Sequence, residues 1–232
     1  MTVDVTSRFE GEELASPWFP ACKGAPAVLI LPTVMGVTDL ERDVAARINA
    51  LGYAAMVGDL FGTATRGQSR GQMFGHLQRL KDDRAALLRR LQALHATLLD
   101  QAEVDAGKVA VIGFCFGGLC ALDLARSGAE MAAAASFHGL FDPPGLPPQP
   151  IKARVAAYHG WADPLVPPEA VAALASELTE AGCDWQIHAY GHTGHGFTNP
   201  AATGATAGIA YNATAAKRSW ESLAILLDEA LG

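Results

Sequence analysis

Two hydrophobic rhythms alternate along the chain. Thr2 to Phe9 alternates polar and apolar positions as a strand does, Gly11-Glu12 has the chemistry of a turn, and Leu14 to Phe19 returns as a second strand. Short apolar runs follow at Val28 to Leu31, Tyr53 to Val57, Val109 to Ile112, Ala132 to Phe137, Arg154 to His159 and Trp185 to Ala189, each of a length suited to a buried strand. Between them apolar residues recur at helical spacing. Asp39 to Leu51 carries Leu40, Val44, Ile48 and Leu51 before Gly52 as a stop, and His76 to Leu99 carries leucines at 77, 80, 87, 88, 91, 94 and 98 as one long helix. Phe116 to Arg126, Pro168 to Ala181 and Tyr211 to Leu231 complete the helices, while Gly58 to Gly75 and the Pro-rich stretch Pro143 to Pro150 read as loops. Strands separated by helices pair mostly parallel. The pattern therefore predicts an α/β fold of one domain over residues 1–232, with a mostly parallel central sheet flanked by helices on both faces and an antiparallel N-terminal edge.

Composition narrows the function classes. Half of the residues are hydrophobic and 18% are charged, so the chain has the means to bury a large core. A net charge of −7 argues against a nucleic acid or an anionic membrane as partner, since both demand clustered Lys and Arg. The one basic run, Arg84 to Arg90, is expected to be a solvated helix face. Residues 1–10 lack the basic and then apolar pattern of a secretory leader, and no apolar stretch approaches the roughly 20 residues of a membrane span. Cys22, Cys115, Cys120 and Cys183 have neither paired nor dense spacing, so reduced thiols in a cytoplasm are expected, in a monomer or small homo-oligomer.

The candidate chemistry lies in three loops, each following a strand. Gly113-Phe114-Cys115-Phe116-Gly117-Gly118 stands between the run Val109 to Ile112 and the helix from Phe116. It has the form of a nucleophile elbow, in which a sharp strand-to-helix turn demands glycine two residues before and two after the nucleophile. The helix N-terminus then faces the thiol, where its positive dipole end favours anions. Asp163, in His159-Gly160-Trp161-Ala162-Asp163-Pro164, is placed at the C-terminal end of the next strand but one, the end at which open α/β sheets bind ligands. Gly191-His192-Thr193-Gly194-His195-Gly196-Phe197 offers two histidines, either of which suits a base. They lack further His or Cys neighbours with metal-ligand spacing, so no metal or other cofactor is expected. His138 and His159, at strand ends, are placed to line the pocket, with a structural role as the preferred reading.

Met35-Gly36-Val37, Gly52-Tyr53, Asp59-Leu60-Phe61, Gly113 to Gly118, His159 to Asp163 and Gly194 to Phe197 together resemble the dienelactone hydrolase family of the α/β-hydrolase superfamily, over nearly the whole chain. The resemblance implies a hydrolase of small carboxylic esters or lactones that works through a thioacyl enzyme, with Cys115, Asp163 and His195 as its triad. His195 is preferred to His192 because the family's last histidine shortly precedes a phenylalanine. The backbone N–H groups of Phe116 and Val34 are the implied oxyanion donors, and Thr33, Met35, Trp161 and Phe197 the candidate substrate contacts. Two departures stand out. The dienelactone hydrolase itself has a glutamate where this chain has Thr33, and a substrate-gripping arginine where this chain runs Phe197-Thr198-Asn199-Pro200. Arg66, Arg70 and Arg79 are candidates to replace that arginine. Two other classes stay open: a noncatalytic binding protein on the same scaffold, and a redox-sensing thiol, although Cys120 falls about one and a half turns along the helix and would point away from Cys115.

Overall fold

The chain opens with β1 (Val3–Phe9) and β2 (Glu12–Phe19), paired antiparallel across a turn in which Glu10 and Gly11 both take positive φ. The computed structural model describes residues 2–232; Met1, part of the stretch read for a leader, lies outside them. There follow β3 (Ala25–Leu31), α1 (Asp39–Ala50), β4 (Ala54–Val57), a 3-10 turn at Thr63–Thr65, α2 (Arg70–Asp82), α3 (Arg84–Leu99), β5 (Val104–Phe114) and α4 (Phe116–Arg126). The second half holds β6 (Ala133–Phe137), β7 (Arg154–Gly160), α5 (Pro168–Glu180), β8 (Trp185–Tyr190), a small hairpin of β9 (Thr203–Thr206) and β10 (Ile209–Ala210), and α6 (Ala213–Leu231). Strands β1 to β8 form one sheet in the order β1-β2-β4-β3-β5-β6-β7-β8. From β4 to β8 the neighbours are parallel; β1 and β2 make the antiparallel edge. No helix among the described residues is long and apolar enough to cross a membrane.

Alternation within β3 and β5 divides the core. Leu29, Leu31, Val109 and Val111 face Leu87, Leu91 and Leu94 of α3 and Leu119 of α4, whereas Val28, Ile30, Ala110 and Ile112 face Val44 and Ile48 of α1 and Trp220, Leu223 and Leu227 of α6. Both faces of the central strands are thus covered, which is why those strands read as continuous apolar runs. Each fully buried leucine adds about 2 kcal/mol of transfer free energy.

The single long helix expected over His76 to Leu99 is two. Asp83, at φ −121° and ψ 79°, breaks it, and its carboxylate accepts the Ala86 N–H at 2.8 Å to start α3. α2 begins inside the segment expected as loop, where Ser69 and Gln72 form a capping box. Gly71 and Gly75 oppose that helix by about 1 kcal/mol each, a cost the burial of Met73 and Leu77 offsets. The basic run is also less solvated than its composition implies. Arg84 makes a bidentate bond to the buried Asp123, at 2.8 and 2.7 Å, and Arg90 is buried with a bond to the Leu60 carbonyl at 3.0 Å. Only Arg89 of these three lies open, paired with Glu10.

Candidate active site

The elbow forms as glycine chemistry requires. Cys115 sits between β5 and α4 at φ 56° and ψ −115°, a backbone conformation rare for a residue with a side chain, and its N–H is held by the Phe137 carbonyl at 3.0 Å. A Cβ on Gly113 would lie 1.9 Å from the Gly117 oxygen, and one on Gly117 would lie 2.0 Å from the Leu31 oxygen. Gly118 is equally committed, since its Cβ would meet the Ser136 hydroxyl at 2.6 Å. Backbone contact at the turn leaves Cys115 half-buried at the N-terminus of α4.

Asp163 and His195 arrive from separate loops. Asp163, after β7, is buried; its Oδ1 accepts the Leu165 N–H at 2.9 Å and its Oδ2 bonds His195 Nδ1 at 2.8 Å. His195 and Cys115 line the same cleft. Burial pushes the His195 imidazole down, but its hydrogen bond to Asp163 and the influence of Asp163 and the neighbouring Cys115 outweigh burial and push it up to about 10. His192, the alternative base, is exposed on the turn after β8 with φ +57°. The structure brings Cys115, His195 and Asp163 together and leaves His192 outside.

Around Cys115 and His195 lies a cleft of about 260 Å³. Thr33, Val34 and Met35 line it from the loop after β3, Arg70 from the start of α2, His138 and Asn199 from the loops after β6 and β8. Of the arginine candidates, only Arg70 reaches this cleft. Arg66 instead bonds the Ala15 carbonyl at 2.6 Å and pairs with Asp59, and Arg79 bonds His76. Two expected substrate contacts are placed elsewhere. Phe197 is fully buried with its ring 5.3 Å from His138 and 5.5 Å from Tyr190, because the chain turns inward after His195; Trp161 stands half-exposed beside His159. Both are large apolar rings near the triad in sequence, and neither is a cleft wall.

Two features, Glu41 and the hairpin β9–β10, were not foreseen, and His138 takes the pocket-lining place that the sequence left open to it. Glu41, buried on the first turn of α1, accepts hydrogen bonds from the Thr33 N–H at 3.2 Å and hydroxyl at 3.1 Å and from the Thr38 N–H at 3.1 Å and hydroxyl. A carboxylate therefore does reach the loop after β3, from a different position than the family glutamate. Thr38-x-x-Glu41 was readable as a capping box, but its reach to Thr33 was not. His138 adopts φ +38°, packs its ring 5.2 Å from that of His195 and bonds the Thr198 hydroxyl at 2.8 Å. Burial, with His195 adding to it, holds His138 well below the ordinary imidazole range, so it is a neutral wall of the cleft. The hairpin β9–β10 supplies the remaining wall, its cue being the run of Ala, Thr and Gly from Ala201 to Gly208.

A parallel sheet flanked by helices, an antiparallel edge and a strand-to-helix elbow define an α/β hydrolase. More narrowly, residues 15–231 match the model of the dienelactone hydrolase family, and the chain belongs to that family of hydrolases. It is 36% identical to the protein K02A2.1 of Caenorhabditis elegans over 153 residues, which is 64% of this chain and 97% of that protein. It is 30% identical to carboxymethylenebutenolidase of Pseudomonas putida over 200 residues, 82% of this chain and 83% of the relative. Among solved structures, the dienelactone hydrolase-like promiscuous phosphotriesterase P91 from metagenomic libraries superposes with a TM-score of 0.93 at 34% identity, covering 100% of this chain and 99% of that one.

Proposed function

We propose that this chain hydrolyses small carboxylic esters or lactones with Cys115 as nucleophile, His195 as general base and then acid, and Asp163 as the group that orients the imidazole. The carrying observation is that the elbow thiol of Cys115 and the His195 ring share one cleft while His195 Nδ1 is bonded to the buried Asp163 at 2.8 Å. In the first half-reaction the S–C bond forms with the proton already held on His195, whose imidazole is pushed up to about 10; the C–O bond then breaks and His195 gives that proton to the leaving oxygen. In a lactone that oxygen stays tethered to the acyl chain. Water next gives a proton to His195 and attacks the thioester, the C–S bond breaks, and the sulfur is freed with the proton again held on His195. The N–H groups of Phe116, first residue of α4, and Val34, on the cleft wall, are the oxyanion donors, each worth about 3 kcal/mol. Arg70 is the cleft cation suited to a substrate carboxylate, and the substrate is a small molecule because the cleft holds about 260 Å³.

The redox alternative finds little support at Cys120, which is fully buried within α4 and whose thiol burial, followed by the charge of Asp123, pushes well above the ordinary range. The phosphotriesterase among the solved neighbours favours a second electrophile, a phosphorus ester attacked by the same sulfur. One panel tests these readings: p-nitrophenyl acetate, a neutral lactone, a carboxylate-bearing lactone and a p-nitrophenyl phosphotriester, each with parent and Cys115→Ala. Cys115-dependent turnover and a trapped acyl adduct on Cys115 are expected. Equal ester and lactone turnover in Cys115→Ala, or none in the parent, refutes the proposal.

A further inference from the structure

Asp163 and His195 lie on loops 32 residues apart in sequence, and their 2.8 Å bond requires those loops to stay in register. One further residue touches both. The Gly208 carbonyl, in the turn of the hairpin β9–β10, accepts the His195 N–H at 2.7 Å, and the Ala210 N–H donates to the His195 carbonyl at 3.2 Å, so His195 is bridged to Ile209 as in a parallel ladder. The same carbonyl backs the residue before the base, since a Cβ on Gly194 would lie 2.1 Å from the Gly208 oxygen. On its other side Gly208 abuts the acid loop. It takes φ +75°, and a Cβ on it would lie 2.7 Å from both Cγ and Cδ of Pro164, the residue after Asp163. Thr203, Ala205, Thr206 and Ile209 of the same hairpin wall the cleft.

Resting on the triad assignment above, we propose that Gly208 is a positioning residue that pins the acid loop to the base loop and makes the hairpin wall and the His195 backbone one mechanical unit. A glycine is required there twice over: the left-handed backbone disfavours a side chain, and a proline ring, closed on its own backbone, cannot swing aside as the tip of a flexible side chain would. A methyl at 208 therefore has two exits. Either the hairpin retreats and draws the His195 backbone with it, or Pro164 retreats and draws Asp163.

The test is Gly208→Ala, Pro164→Ala and the double variant, compared with the parent by thermal melt, p-nitrophenyl acetate kinetics and the rate of Cys115 alkylation by iodoacetamide at neutral pH. A displacement near 1 Å between base and nucleophile lowers kcat for Gly208→Ala by about 100-fold with KM within about twofold. Alkylation slows in parallel, because the thiol loses the base that shares its cleft. The double variant, lacking the Cγ and Cδ that the new methyl meets, recovers most of both rates toward those of Pro164→Ala. Unchanged kcat and alkylation in a folded Gly208→Ala overturn the proposal, as does a folded double variant no faster than the single one. If Gly208→Ala does not fold, the double variant carries the comparison: rates near those of Pro164→Ala support the pin, and slow alkylation refutes it. Full turnover in Cys115→Ala overturns the triad reading alone, because the alkylation readout needs no ester hydrolysis.

Discussion

Glu41 gives the sharpest link between packing and catalysis in this molecule. It is 1% exposed and accepts from two backbone amides and two hydroxyls, tying Thr33 to Thr38 and so fixing the loop that presents the Val34 N–H. In Glu41→Ala the hydroxyls can rotate to other acceptors, but the two amides cannot. An unsatisfied buried donor costs about 1–3 kcal/mol, and because these amides are only partly buried the pair is taken near the lower end, about 3 kcal/mol in total. For a chain of this size, at 2–4 °C per kcal/mol, Tm falls by about 6–12 °C. Glu41→Gln keeps one carbonyl oxygen as acceptor and loses about half as much. With Thr33 untethered the Val34 amide drifts from the oxyanion position, and kcat for p-nitrophenyl acetate falls by about 10- to 100-fold, approaching the effect of deleting one such donor. Melting curves and kinetics taken well below both Tm values separate the two effects. A lower Tm with unchanged kcat refutes the link from Glu41 to the oxyanion loop; an unchanged Tm refutes the hydrogen-bond accounting itself.

Other outcomes follow from the same geometry. Gly117→Ala places a methyl 2.0 Å from the Leu31 oxygen in fixed backbone, so loss of more than about 4 kcal/mol or no folded protein is expected, and a melt within a few degrees of the parent contradicts the elbow argument. His138, His159 and His95 are all held below the ordinary imidazole range chiefly by burial. The unfolded chain takes up protons near pH 6.5 that the folded one refuses. Stability therefore falls as pH drops below about 6.5, by up to about 1.4 kcal/mol per pH unit for each histidine, and equal urea midpoints at pH 5 and pH 7 would contradict this sign. Arg70→Gln raises KM for a carboxylate-bearing lactone about tenfold, roughly 1.4 kcal/mol, and for its neutral counterpart much less. Equal changes for the two substrates exclude Arg70 as the carboxylate partner.

Much of the scaffold was legible because its signals are local. Runs such as Val28 to Leu31 and Val109 to Ile112 report a strand buried on both faces, and the glycines flanking Cys115 report a turn too tight for a Cβ. The break at Asp83 was missed because leucine periodicity runs on both sides of it, and the start of α2 was missed because Gly71 and Gly75 resemble loop chemistry more than they weaken a capped, packed helix. Arg84 and Arg90 looked solvated because the pattern along one helix does not show what another chain segment brings to it.

The sequence alone determined the alternation of strands and helices and the elbow at Cys115, which depend on residues within a few positions of one another, and it offered Cys115, Asp163 and His195 in the chain order proposed for nucleophile, acid and base. Only the tertiary structure decided that His195 rather than His192 meets Asp163, that Arg70 rather than Arg66 or Arg79 reaches the cleft, and that Phe197 backs His138 instead of touching the cleft. It also showed Glu41 serving the loop at Thr33 and Gly208 lying between Pro164 and His195. These are contacts between segments far apart in sequence, set by how the sheet aligns its strand ends, and no local pattern encodes a distance across that edge.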